Sequence, residues 1–186
     1  MPNHCENDLV VRGDSAMLRE FMEFAKGPVG TAIHAPGVDL LSAHRFIPYP
    51  EEYNTMVVGC KKCGTISDKP VTEDPFQTCP QCDGFMMNGY NRGGYEWCIE
   101  NWGTKWGLYE VDLLEEDLEN GHLNYYFETA WSPPEPVILA MSKRFPGLEF
   151  QHEYFESGAG YQGGVRLQAG EAVEEFQAPY WGHRGG

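Results

Sequence analysis

Two Cys-x-x-Cys pairs, Cys60-Lys61-Lys62-Cys63 and Cys79-Pro80-Gln81-Cys82, stand fifteen residues apart. That separation falls within the spacing of a four-cysteine zinc ribbon. Each short loop can aim two thiolates at one point from the same side, and the residues between need only return the chain, which suits tetrahedral zinc. Gly64 follows the first pair and Asp83-Gly84 the second, so each knuckle has a residue able to take a left-handed turn. Pro80 stiffens the second knuckle. Four thiolates leave no open coordination position, so the Zn²⁺ expected at Cys60, Cys63, Cys79 and Cys82 is structural and not catalytic. The competing reading is two disulfides or free thiols. The stretch Met1 to Asp8 has neither the basic nor the apolar region of a secretory signal, which favours a reducing cytoplasm where thiols stay available for metal.

A second group, Trp97, Asn101, Trp102, Lys105 and Trp106, joins aromatic faces to an amide and an ammonium. Such a mixture can recognise a ligand ring or a partner's side chain. The alternative is core packing, with Lys105 reaching outward and Asn101 capping a turn. Cys5 and Cys98 could act as nucleophiles only with a histidine close in space; burial as small hydrophobes is the simpler account. Glu96 and Glu100 are four apart and could share a helix face as an acid/base pair, or form an exposed acidic face. The histidines lack metal-binding spacing, and Gly158-Ala159-Gly160 lacks the lysine of a phosphate loop. No catalytic residue emerges, and the chain reads as non-enzymatic.

The elements that must hold these groups follow from pattern. Leu9 to Arg12 ends a first strand that runs from Cys5, and Asp14 caps a helix whose apolar face is Met17, Leu18, Phe21, Met22, Phe24 and Ala25. Val29 to Gly37 reads as a loop. Val38 to Ile47 holds a second strand centred on His44 to Ile47, and Pro48 to Tyr53 reads as an extended approach to the ribbon. A helix over Tyr95 to Trp102 stops at Gly103. Strands are expected at Leu108–Leu114, Leu123–Trp131, Leu148–Glu156 and Tyr161–Leu167, with Glu115 to Gly121 as an acidic turn. Ser132, with Glu135 three residues on, predicts a capping box for a helix over Pro136 to Phe145. The order contains a βαββαβ pattern, so the fold expected is α+β: a ferredoxin-like antiparallel sheet with helices on one face. Residues 1–58 and 85–186 would form that body, and 59–84 an inserted zinc ribbon.

Charge narrows the partners. With 28 acidic against 13 basic residues in 186, the formal net charge is −15. Nucleic acid and anionic membrane are disfavoured, because phosphate neutralisation needs clustered Lys and Arg. No apolar run approaches the length of a membrane span. A basic protein surface suits the charge.

The opening Met1 to Asn7 and the run Glu100-Asn101-Trp102-Gly103-Thr104-Lys105-Trp106 resemble the Api-like (YubB-type) family of phage and plasmid proteins with a ferredoxin-like domain. The resemblance implies that fold, a mobile-element origin and a bacterial cytoplasm, and it supplies no reaction. The leading expectation is a phage-type accessory protein that binds a basic surface on a host protein. The alternatives are a small-molecule or nucleotide binder or enzyme using the Trp97 to Trp106 group, and nucleic-acid binding through the ribbon, where Lys61, Lys62 and Lys69 give a local basic edge.

Overall fold

The computed structural model describes residues 3–28, 38–53, 57–67, 77–90, 93–182 and 184. In chain order the elements are β1 (His4–Arg12), α1 (Ser15–Ala25), β2 (Gly27–Pro28), β3 (Val38–Asp39), α2 (Ala43–Phe46), a 3-10 turn (Glu51–Tyr53), β4 (Val57–Cys60), β5 (Ile66–Ser67), β6 (Gln77–Thr78), β7 (Phe85–Tyr90), α3 (Gly94–Trp102), β8 (Tyr109–Asp117), β9 (His122–Ala130), α4 (Glu135–Arg144), β10 (Glu149–Glu156), β11 (Tyr161–Gln168) and β12 (Glu171–Pro179).

Along β1, Cys5, Asn7, Leu9 and Val11 are buried while His4, Glu6, Asp8 and Val10 are half-buried, the alternation of a strand with one covered face. β1 lies inside a six-stranded sheet of order β12-β11-β10-β1-β9-β8, antiparallel at every step. β1, α1, β8, β9, α4 and β10 are a βαββαβ unit, and their strands stand in the ferredoxin-like spatial order β10-β1-β9-β8. β11 and β12 extend that sheet at one side. The four-stranded sheet of β4 to β7, with α2 and α3, is inserted between α1 and β8.

The helices cover one face. Asp14 accepts the Ala16 N–H at 2.9 Å and starts α1 as its sequence predicts. Phe21 of α1 packs edge-on to Tyr125 of β9, Phe145 beyond α4 and Phe150 of β10, joining both helices to the sheet. The core around them holds Leu9, Val11, Leu18, Leu123, Phe127, Ile138 and Met141. Among the described residues no helix is long and apolar enough to cross a membrane.

Several local expectations are corrected. His44 to Ile47 is not a strand: Ala43–Phe46 is one helical turn, closed by the Ile47 N–H on the Ala43 carbonyl at 2.9 Å. Arg45 holds that turn against α1, donating to the Phe24 carbonyl at 2.8 Å with its guanidinium over the Phe24 ring, so tertiary contact overrides the strand propensity of Phe46 and Ile47. The approach from Pro48 closes as a 3-10 turn, the Tyr53 N–H reaching the Pro50 carbonyl at 3.1 Å. Glu115 to Asp117 belong to β8 and not to a turn, because Glu115 and Asp117 stand opposite Asn124 and His122 on the uncovered face, where charge costs no burial. The capping box does not form. Pro134 takes the cap position, and the Ser132 hydroxyl donates instead to the Gly103 carbonyl at 2.6 Å. The loop expected over Val29 to Gly37 lies outside the described residues.

Phe150, His152 and Tyr154 share the buried face of β10, as their alternation predicts. His152 is fully buried, with Nε2 3.0 Å from Asn7 Oδ1, and Asn7 donates in turn to Thr129 Oγ1 at 3.0 Å and to the Cys5 carbonyl at 2.8 Å. Burial pushes the imidazole down to about 3. The unfolded chain takes this proton near pH 6.5 and the folded chain does not, so stability falls as pH falls through that window. Between pH 6.5 and 5 the loss is about 2 kcal/mol. Urea unfolding of the parent and of His152→Gln at both pH values checks this: the parent should lose about 2 kcal/mol more than the variant, and equal losses would contradict it.

Candidate metal centre and the open face of the sheet

The inserted sheet has the order β5-β4-β7-β6 and consists of two hairpin arms. The Cys60 to Cys63 knuckle joins β4 to β5, and the Cys79 to Cys82 knuckle joins β6 to β7. Because β4 and β7 form its stem, the unit spans Val57 to Tyr90 and exceeds the 59–84 expected. In the first knuckle the Gly64 N–H meets the Cys60 carbonyl and the Cys60 N–H the Thr65 carbonyl, both at 2.8 Å. In the second, the Asp83 N–H meets the Cys79 carbonyl at 3.2 Å and the Cys79 N–H the Gly84 carbonyl at 2.6 Å. Gly64 (φ 73°) and Asp83 (φ 55°) take the left-handed positions. Gly84 serves differently: a Cβ there would sit 3.1 Å from Cys60 Sγ and 3.2 Å from Cys82 Sγ, so a larger residue would crowd the thiols.

Cys60 and Cys82 sulfurs are 3.5 Å apart, those of Cys63 and Cys79 3.6 Å, and all four lie within 4.8 Å of one another. These are not disulfides, which need about 2.05 Å. Thiolates held about 2.3 Å from one tetrahedral ion stand about 3.8 Å apart, which matches. Cys60 and Cys79 are buried and Cys63 is exposed. The Thr65 hydroxyl lies 3.0 Å from Cys63 Sγ, and hydrogen bonding from Thr65 lowers that thiol from its ordinary value. Among the described residues, Val58 and Met86 join the cysteines in the arm's buried cluster. The site is compatible with a metal ion held by four thiolates.

The five residues of the aromatic group divide. Trp102 is fully buried, and its indole N–H donates to the Ile47 carbonyl at 2.9 Å. Trp97 and Tyr49 pack on it with ring centroids 5.5 Å away, and Asn101 donates back to the Trp97 carbonyl at 2.9 Å. That half is core and helix closure. Lys105 and Trp106 lie elsewhere: the ammonium sits 5.2 Å from the Tyr95 ring and 5.4 Å from the Trp106 ring, and Trp106 approaches Tyr109 at 6.4 Å. Cys5 and Cys98 are fully enclosed, and burial pushes each thiol up to about 12, opposite to the needs of a nucleophile. Glu96 and Glu100 are exposed. Lys61 and Lys62 are exposed on the first knuckle, and Lys69 lies outside the described residues.

The uncovered face of the six-stranded sheet holds what sequence reasoning missed. Opposite residues in register share a face. Glu6 faces Glu128 and Phe155; Asp8 faces Tyr126 and Glu153; Tyr126 faces Asp112. Further along, Glu149 stands beside Arg12, and Glu174 beside Arg166. Here His4 Nδ1 lies 2.5 Å from Glu128 Oε2 and 3.1 Å from the Tyr109 hydroxyl, while the Tyr126 hydroxyl donates to Glu128 Oε1 at 3.1 Å. Burial and the Glu128 charge push both tyrosine hydroxyls upward, so they stay protonated donors. A pocket of ≈ 460 Å³ opens between Glu6, Tyr109, Asp112, Tyr126 and Glu128. A second, of ≈ 390 Å³, lies across Tyr126 and is lined by Asp8, Asn124, Glu153 and Arg184. The available signal was the polar half of each alternation, His4-x-Glu6-x-Asp8 and Asn124-x-Tyr126-x-Glu128.

Three substitutions test these assignments. Cys63→Ser or Cys79→Ser should lower the metal content measured by elemental analysis and unfold the inserted sheet, while the six-stranded body keeps its melting transition; full metal retention would show the ligand set to be wrong. Trp102→Ala should cost about 3–5 kcal/mol in urea unfolding, and a loss below about 1 kcal/mol would place the indole outside the core.

Residues 102–180 match the family model described as the ferredoxin-like domain in Api92-like protein. The uncharacterized protein YubB of Escherichia coli (strain K12) is 29% identical over 96 residues, which span 47% of this chain and 65% of YubB, just under two thirds of that relative. The crystal structure of api92 from Yersinia pseudotuberculosis superposes over 99% of this chain and 100% of its own with a TM-score of 0.54 at 12% identity, a likeness of fold. Residues 102–180 are thus similar to the ferredoxin-like domain of Api92-like protein, and the match begins within the Glu100 to Trp106 run that carries the resemblance in the sequence.

Proposed function

We propose that this chain is a non-enzymatic, phage-type accessory protein whose open sheet face engages a basic surface on a bacterial host protein in the cytoplasm, and that its four cysteines hold a structural Zn²⁺. The observation that carries the first half is the concentration of Glu6, Asp8, Asp112, Glu128 and Glu153 on one contiguous face interleaved with Tyr109, Tyr126 and Phe155. Carboxylates flanked by aromatic rings suit cationic side chains, which gain from both charge and ring faces. The net charge of −15 draws the same class of partner from a distance.

Zinc is the ion that four soft thiolates at tetrahedral spacing favour. Its role is to fold the insertion and present its exposed tip, where Phe85 is 63% exposed, as a rigid secondary contact.

An affinity column carrying the parent chain, set beside one carrying Asp112→Asn/Glu128→Gln, tests the reading on a bacterial lysate. The parent should retain a stoichiometric protein that elutes with salt, and the double variant should lose it. Retention of the same protein by both columns, or retention of nucleic acid in its place, would contradict it.

A further inference from the structure

Arg184 does not belong to any strand, yet it ends on the open face. Beyond β12, Tyr180 donates its N–H to the Gly160 carbonyl at 2.8 Å, and the Tyr180 hydroxyl donates to the Arg184 carbonyl. From there the guanidinium reaches back to β1. Nη2 meets Asp8 Oδ1 at 3.0 Å, Nη1 meets Asp8 Oδ2, and Nε meets Glu6 Oε2 at 3.2 Å. Its carbon lies 4.4 Å from the centroid of Phe155, the residue opposite Glu6 on β10. A planar fork fully matched by one carboxylate, steadied by a second and covered by a ring is how proteins recognise arginine itself.

The other arginines of this face differ. Arg12 and Arg166 sit within strands, where the backbone fixes them and their pairs with Glu149 are lateral contacts along the sheet. Arg184 arrives from outside the sheet, from a segment 176 residues away in sequence from its partner Asp8, as a bound side chain would.

We infer that Glu6, Asp8 and Phe155 form a guanidinium seat, that Arg184 occupies it as an internal stand-in, and that an arginine on an extended basic segment of the partner displaces it. The inference rests on the open face being the partner-binding surface. The ≈ 460 Å³ pocket across Tyr126 supplies a neighbouring subsite of the same chemistry, with Glu6, Asp112 and Glu128 around it. A segment carrying two cationic side chains would set one in the seat and the other in this neighbouring pocket. Displacement then couples binding to release of Arg184 and of its contact with Tyr180.

The probe is a fluorescein-labelled nine-residue peptide alternating arginine with serine, read by anisotropy against the full chain loaded with zinc. Removing an internal competitor raises apparent affinity by the inverse of the fraction of sites it leaves free. Arg184→Ala should therefore bind the peptide about tenfold or more tighter than the parent, with Arg184→Lys in between. Arg166→Ala makes the same charge change on the same face and should stay within about twofold of the parent. Adding Asp8→Asn to Arg184→Ala should abolish the gain, and an all-lysine peptide should bind more weakly than the arginine peptide. Equal affinity in parent and Arg184→Ala, or an equal rise in Arg166→Ala, would overturn the seat while leaving the face as a binding surface. Failure of every chain to bind the peptide would overturn both.

Discussion

The period-two alternation of β1 is the constraint on which the rest depends. β1 is paired on both sides, to β9 and β10, so its register sets which residues of three strands face the helices. A slip of one residue would send Glu6 and Asp8 into the core and Leu9 and Val11 into water. Burial of Leu9, Val11, Leu123, Phe127 and Phe150 under α1 and α4 opposes any such slip. The same constraint produces the acidic face as its complement. Positions freed from packing on β1, β8, β9 and β10 carry carboxylates and tyrosines, and helices on one side alone leave them accessible together.

With a metal held by its four cysteines, as proposed, the inserted sheet would be stabilised by a different kind of interaction. The body holds a contiguous apolar core running from Leu9 to Leu167, whereas among the described residues the insertion's buried cluster is the cysteines with Val58 and Met86. Metal ligation can replace a core because ligands converge only in the folded arrangement, so binding free energy becomes folding free energy. The two parts of the chain therefore respond to different agents: chelation should act on the insertion, and protonation of buried His152 on the body.

Legibility in the sequence followed the range of the interaction. The cysteine knuckles, the Asp14 cap, the Gly103 stop and the alternation of β10 are decided within a few residues, and each was readable from spacing. The ferredoxin-like order was also readable, because six elements in a fixed succession admit few arrangements. His44 to Ile47 was not, since Arg45 and its stacking on Phe24 override local strand preference. The aromatic group was half legible: clustering in sequence was visible, but the burial of Trp102 depends on Ile47, 55 residues away. The open face was hidden for the same reason. Its carboxylates come from strands that are neighbours only after β9 and β10 close around β1, and nothing near Arg184 in the sequence points to Asp8.

On the proposed reading, function lies on the open sheet face and not on the Trp97 side or the insertion. Backbone amide shifts of the ¹⁵N-labelled chain, followed while an unlabelled arginine-rich peptide is titrated in, address it directly. Perturbations confined to β1, β8, β9 and β10, strongest around Glu6, Asp8, Tyr126 and Glu128 and joined by Arg184, are the predicted result. Perturbations centred on Trp97 to Trp106 or on the cysteine knuckles, with the open-face amides unmoved, would contradict it.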